Sequence, residues 1–172
     1  MPQFLKVFLD IVLWRRGPQD LPASPLLLWI ATAAYVAVSL VQLAWLEMPA
    51  GAWFVFIVAD PLLLMALTWA LLRLFNKRER WLQTATAILG AGAVLGVLLF
   101  LPVLWLMSVL EVKSGSTTAG LATLSLVVIS ALVTGRILKL ATETNLVTGM
   151  ALWFTYFFVI QLLLDLVAGR GG

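Results

Sequence analysis

The sequence predicts an all-α fold, a polytopic bundle of five transmembrane helices with the N-terminus inside and the C-terminus outside, preceded by an in-plane amphipathic helix. Hydrophobic residues make up 63% of the 172 residues and charged residues only 11%, whereas soluble domains have about 45–50% and about 25%. The few charges also lie in clusters between long apolar runs. These three observations exclude a water-soluble fold and favour a helical membrane protein.

Residues 1–24 are predicted to form a cytoplasmic region, in which segment 3–16 is an amphipathic helix with a narrow polar stripe that contains Lys6 and Asp10. The segment is too short to cross a bilayer. We expect it to lie in the plane of the cytoplasmic face, with its terminal arginine pair near anionic head groups. The alternative is that its apolar face packs onto the bundle, and both interpretations are compatible.

A connector follows at 17–25, "GPQDLPASP", whose three prolines and one glycine interrupt any helix. Ser24 followed by Pro25 is typical of an N-cap with proline at the first helical position. The transmembrane domain is therefore predicted to comprise 25–172.

Five apolar runs reach the roughly 20 residues that a helix needs to cross a hydrocarbon core of about 30 Å. They are 26–46, 52–72, 86–110, 120–141 and 145–168. With the N-terminus inside, nine basic residues lie on the inner side and only Lys113 and Arg170 on the outer side. The excess of inner Lys and Arg predicts this orientation and an odd number of spans.

The chain contains no histidine and no cysteine, which excludes imidazole and thiolate chemistry, including most metal sites and disulfides. Its surface carboxylates are scattered over both faces and form no catalytic set; they are Glu47, Glu111, Glu143 and Asp165. We therefore predict neither enzymatic activity nor a metal or cofactor. The net charge of +3 follows from topology, so we expect no nucleic-acid partner.

Asp60 is the one acid well inside a predicted span, in "FVFIVADPLLLMAL". An ionised carboxylate there costs about 2.5–3.5 kcal/mol on insertion scales, so it should face the bundle or water, or carry a proton. Asp60 lies eight residues, roughly 12 Å, below the outer surface. Ser39, Gln42 and Gln161 lie near that level and are predicted to form an intramembrane polar site with it. Arg136 lies several turns nearer the inner face, which argues against an ion pair.

Prolines and glycines in the second and third spans predict local geometry. Pro61 and Pro102 should kink their helices, because proline lacks a backbone donor and its ring clashes with the preceding turn. Gly92 and Gly96 lie four residues apart on one helix face, which favours a close helix crossing over a nucleotide-binding loop.

The densest charge cluster is "RLFNKRER", 73–80, between the second and third spans. Its four basic residues are Arg73, Lys77, Arg78 and Arg80. We interpret this cytoplasmic basic loop as a determinant of topology. Binding of anionic lipid or of an acidic partner is the alternative.

The "RRGPQDLPASP" junction, the kinked second span and five closely spaced helices behind a short amphipathic N-terminus resemble the small bacterial members of the Yip1-like family. The resemblance implies a non-enzymatic bundle that binds protein partners and helps to organise membranes. The longer cytosolic N-terminal region of the eukaryotic relatives is missing here. Their association with small GTPases therefore does not transfer, and neither do any site residues.

These considerations predict an integral protein of the bacterial inner membrane that acts as a scaffold or accessory subunit. Its expected partners are the lipid bilayer and other membrane proteins, including copies of itself. The alternative is a small oligomeric proton or cation transporter, or a channel, that uses Asp60. A polar cavity that reaches Asp60 would favour the alternative, whereas contact with side chains only would favour the scaffold.

Overall fold

A computed structural model describes residues 3–46, 48, 50–113 and 115–168, and within these it contains six helices and no strand. The helices are α1 Gln3–Val12, α2 Pro25–Trp45, α3 Gly51–Leu74, α4 Arg78–Val109, α5 Thr117–Thr142 and α6 Leu146–Ala168. The last five are long and apolar enough to cross a membrane. The predicted all-α bundle with five spans is confirmed. Its orientation stays a prediction, and Arg170 lies outside the described residues.

Helix α4 is the central element of the bundle and the most buried of the five long helices. It starts at Arg78 instead of at 86, and its 32 residues give a length of about 48 Å at about 1.5 Å per residue. This exceeds the roughly 30 Å hydrocarbon core. The first turns of α4 are nevertheless covered, because every residue from 84 to 91 is buried.

Helix α1 covers those first turns of α4. Phe8 and Ile11 are 8% and 2% exposed, and the Phe8 ring lies directly against Gly90. The helix ends at Val12, earlier than predicted. Trp14 has a left-handed backbone conformation, with φ 65°, and a right-handed helix cannot include such a residue. The apolar face of α1 thus packs onto the bundle, while Trp14 stays exposed.

The connector between α1 and α2 has the predicted helix start. Ser24 Oγ accepts a hydrogen bond from the Leu27 N–H at 3.4 Å, with Pro25 at the first helical position. Gln83 on α4 donates through Nε2 to the Leu21 carbonyl at 2.6 Å. The connector is therefore fixed to the central helix by a polar contact as well as by apolar packing.

Each of the two predicted kink prolines follows a π-helical turn. The turns are Val55–Ala59, just before Asp60 and Pro61, and Gly96–Phe100, just before Pro102. A π turn accommodates one extra residue, which moves the preceding carbonyls away from the proline ring and changes the direction of the side chains that follow. In α3 the side chain that follows is Asp60.

Candidate functional site

The Asp60 carboxylate lies at the centre of the bundle and is only 2% exposed. Two hydroxyl groups bind it, one to each oxygen. Tyr35 on α2 donates to Oδ2 at 2.6 Å, and Tyr156 on α6 donates to Oδ1. One carboxylate thus joins three spans, which satisfies the rule that a buried acid requires hydrogen-bond partners.

Tyr35 and Tyr156 are the only tyrosines in the chain. Neither was predicted as a direct partner of Asp60, because the partners were predicted from depth at Ser39, Gln42 and Gln161, and both tyrosines lie about one helical turn nearer the predicted inner face. The length of a phenol side chain covers that difference. Their positions in the sequence could have revealed the pair, since both tyrosines lie in mid-span, away from the membrane interfaces where tyrosine is usually enriched.

A cavity of about 390 Å³ adjoins Asp60 and is lined by side chains from all five long helices. The predicted site residues Ser39, Gln42 and Gln161 all line it together with Asp60. They surround the cavity without bonding the carboxylate, and Ser39 Oγ instead donates to the Tyr35 carbonyl at 3.0 Å. The direct partners predicted from depth were therefore wrong, while the four predicted residues do border one space.

The lining of this cavity combines polar, aromatic and aliphatic side chains around a single formal charge. The polar members besides Asp60 are Ser39, Gln42, Thr123, Ser130, Thr134 and Gln161. The aromatic members are Tyr35, Phe56, Phe100, Trp153, Tyr156 and Phe157. This composition is typical of ligand sites in membrane and soluble proteins, where mostly apolar walls carry a few convergent polar groups.

A second cavity, of about 180 Å³, lies toward the end of the bundle that holds the α3–α4 loop. Its lining is largely apolar and includes Leu74, Leu138 and Leu152. The two cavities share a wall that contains Trp153 and Tyr156. We call the 390 Å³ space the outer cavity and the 180 Å³ space the inner cavity, following the predicted orientation. Asp60 lines the outer cavity, and its partner Tyr156 lines both cavities.

Glycines allow the helices around the site to approach each other closely. A Cβ at Gly92 would lie 2.8 Å from the Tyr35 ring, and one at Gly96 would collide with Val38. The two predicted packing glycines of α4 thus face α2 and leave space for Tyr35. A tighter crossing, not predicted, joins α5 to α6, where a Cβ at Gly149 would collide with the Gly135 carbonyl.

The basic loop at 73–80 is held by Glu143, which follows the end of α5. Lys77 Nζ lies 2.6 Å from Glu143 Oε2, and Arg80 Nη2 lies 2.7 Å from Oε1. Hydrogen bonds from these two cations lower the pKa of the Glu143 carboxyl. Of the other predicted members, Arg73 lies over the Trp69 ring at 5.1 Å and Arg78 is exposed. The α3–α4 and α5–α6 loops therefore lie on one face of the bundle.

Arg136 lies far from the site, over the exposed Trp14 ring at 5.1 Å. The predicted absence of an Asp60–Arg136 ion pair agrees with this placement. Within the described part of the chain, no group of three or more carboxylates could hold a metal ion. Among the described residues, the hydrogen-bond partners of the Asp60 side chain are the two tyrosine hydroxyls.

Comparisons with family models, with curated proteins and with solved structures give no match for this chain. The resemblance to the Yip1-like family stays a prediction.

Proposed function

We propose that the protein is a small membrane transporter or channel that binds a cation at Asp60 and moves it across the bilayer. The observation that carries the proposal is the buried carboxylate at the wall of a 390 Å³ cavity formed by all five spans. Ionisable groups inside a membrane are costly and commonly mark ion or substrate pathways. A feature needed only for packing would not require an adjoining cavity with convergent polar side chains.

The arrangement of the two cavities supports a pathway with one central binding position. A cation enters the outer cavity, where hydroxyl and amide groups such as Ser39 and Gln161 replace part of its hydration. Within the outer cavity, the Asp60 carboxylate neutralises its charge, which lowers the cost of crossing the apolar core. Movement of Tyr156, which borders both cavities, then opens the site to the inner cavity.

Flux through purified protein in liposomes tests this function. A pH-sensitive dye and a series of cation gradients should show transport that depends on protein, and Asp60→Asn should abolish it. The matched control is Asp165→Asn, the same substitution at an exposed acid on α6, which should leave flux unchanged. Circular dichroism and size-exclusion profiles verify that both variants are folded. Equal flux for Asp60→Asn and the unsubstituted protein would refute the proposal.

A scaffold in the bacterial inner membrane is the second candidate. It is favoured by exposed apolar side chains on and next to α1, where Leu5, Leu13 and Trp14 are 39%, 56% and 44% exposed beside Arg15 and Arg16. Such a surface suits a membrane-protein partner or anionic lipid. Copurification in mild detergent at native expression tests it, and a monodisperse monomer without partners would argue against it.

A further inference from the structure

We propose that the transported cation is a compact organic monocation, a quaternary or protonated amine with an apolar body. This inference depends on the proposed role of Asp60 as the cation site. It concerns the chemical class of the ligand, which follows from the charge, volume and wall chemistry of the outer cavity.

The charge of the ligand follows from the lining. Asp60 is the only residue with a formal charge among the residues that line the outer cavity. A dication would leave one positive charge uncompensated in the apolar core, and an anion would face the carboxylate directly. A single positive charge matches a single carboxylate.

The volume and the polar groups disfavour an inorganic ion. The outer cavity, at about 390 Å³, falls within the range of about 300–1,000 Å³ for small-molecule sites, whereas a proton requires no cavity. Hard metal ions take about six or more oxygen ligands. Both Asp60 oxygens already accept a tyrosine hydroxyl, and no cluster of three acidic residues exists in the described chain.

The aromatic walls favour an organic cation. Trp153, on the wall shared by the two cavities, is 8% exposed and stacks on Phe157 with ring centroids 5.3 Å apart. With Tyr35, Phe56 and Tyr156, these rings come from three helices and line the same space as the carboxylate. Aromatic faces attract ammonium groups electrostatically, and they do so without any N–H donor from the ligand. The tyrosine–Asp60 bonds can therefore persist with a quaternary ammonium in place.

Binding to the full-length protein in nanodiscs tests the ligand class. We would measure equilibrium binding of choline, tetraethylammonium, sodium and 3,3-dimethylbutan-1-ol, the last being the uncharged carbon analogue of choline. We expect saturable binding of at least one of the two organic cations, with no competition by sodium or the alcohol. Asp60→Asn should weaken binding at least tenfold, whereas Asp165→Asn should leave it unchanged. Phe157→Leu should weaken it several-fold, which keeps the test valid if Asp60→Asn fails to fold.

The possible outcomes separate the ligand class from the proposed function. If protons or sodium cross the membrane in an Asp60-dependent way while neither organic cation binds, the inference is overturned and the proposed function stands. If the uncharged alcohol binds as tightly as choline, the cavity is an apolar site and the inference is likewise overturned. If no cation binds and no flux occurs, both proposals are wrong.

Discussion

Removal of the Tyr35 hydroxyl tests whether the tyrosines hold a charged Asp60. Tyr35→Phe deletes the donor that lies 2.6 Å from Asp60 Oδ2 and retains the ring that packs against Gly92. A hydrogen bond to a charged group contributes about 1.5–3 kcal/mol. Asp60 is only 2% exposed, so bulk water does not readily replace the lost donor. We expect the free energy of unfolding to fall by about 2 kcal/mol.

The assay is SDS-induced unfolding in mixed micelles, arranged as a double-mutant cycle. In the Asp60→Leu background, Tyr35→Phe should cost little, which corresponds to a coupling energy of about 1 kcal/mol or more between the two side chains. Thr155→Val is the matched control, because it removes an exposed α6 hydroxyl that bonds only the Ala151 carbonyl, at 3.0 Å. An equal cost of Tyr35→Phe in both backgrounds would refute the proposed interaction.

Three further predictions concern packing, the loops and topology. Gly149→Ala should destabilise the protein by about 1–3 kcal/mol, because the added methyl group would overpack against the α5 backbone. Gly120→Ala, at a position with open space around it, should instead stabilise its helix by about 0.5–1 kcal/mol. Equal thermal unfolding temperatures of the two variants would contradict this. Glu143→Gln removes both ion pairs of the basic loop and should speed tryptic cleavage there, unlike Glu79→Gln. Because the Glu143 pKa is lowered, acidification through that lowered pKa should loosen the loop as well, and hydrogen exchange measures this at a pH where trypsin is inactive. A loop whose mobility neither change affects would argue against the link. In this cysteine-free chain, an impermeant thiol reagent should label Lys113→Cys in intact cells and not Glu79→Cys, and the reverse pattern would invert the topology.

The class of fold could be predicted because composition constrains it strongly. In lipid, backbone groups must be satisfied within the chain, so five apolar runs of sufficient length require five helices. The helix ends were less predictable. Helix α4 extends back to Arg78, since the cover that α1 gives to its first turns is a tertiary effect absent from local hydropathy. Helix α1 ends early for a local backbone reason at Trp14.

The candidate site was predictable in part. Asp60 could be identified because a carboxylate inside a span costs free energy to insert. Ser39, Gln42 and Gln161 could be identified by their depth along the spans. Direct contacts depend on helix rotation and side-chain length, and the depth of a residue along its span contains no information on either. Tyr35 and Tyr156 were therefore not assigned to the carboxylate. The outer cavity depends on five helices at once and has no signal in any single segment.

The most direct test of the account is cation flux in proteoliposomes that contain equal amounts of the unsubstituted protein, Asp60→Asn and Asp165→Asn. We predict protein-dependent flux that is lost in Asp60→Asn and retained in Asp165→Asn, because Asp60 lines the outer cavity whereas Asp165 is exposed on α6. Flux that survives Asp60→Asn, or the absence of flux for every cation tested with folded protein, would contradict it.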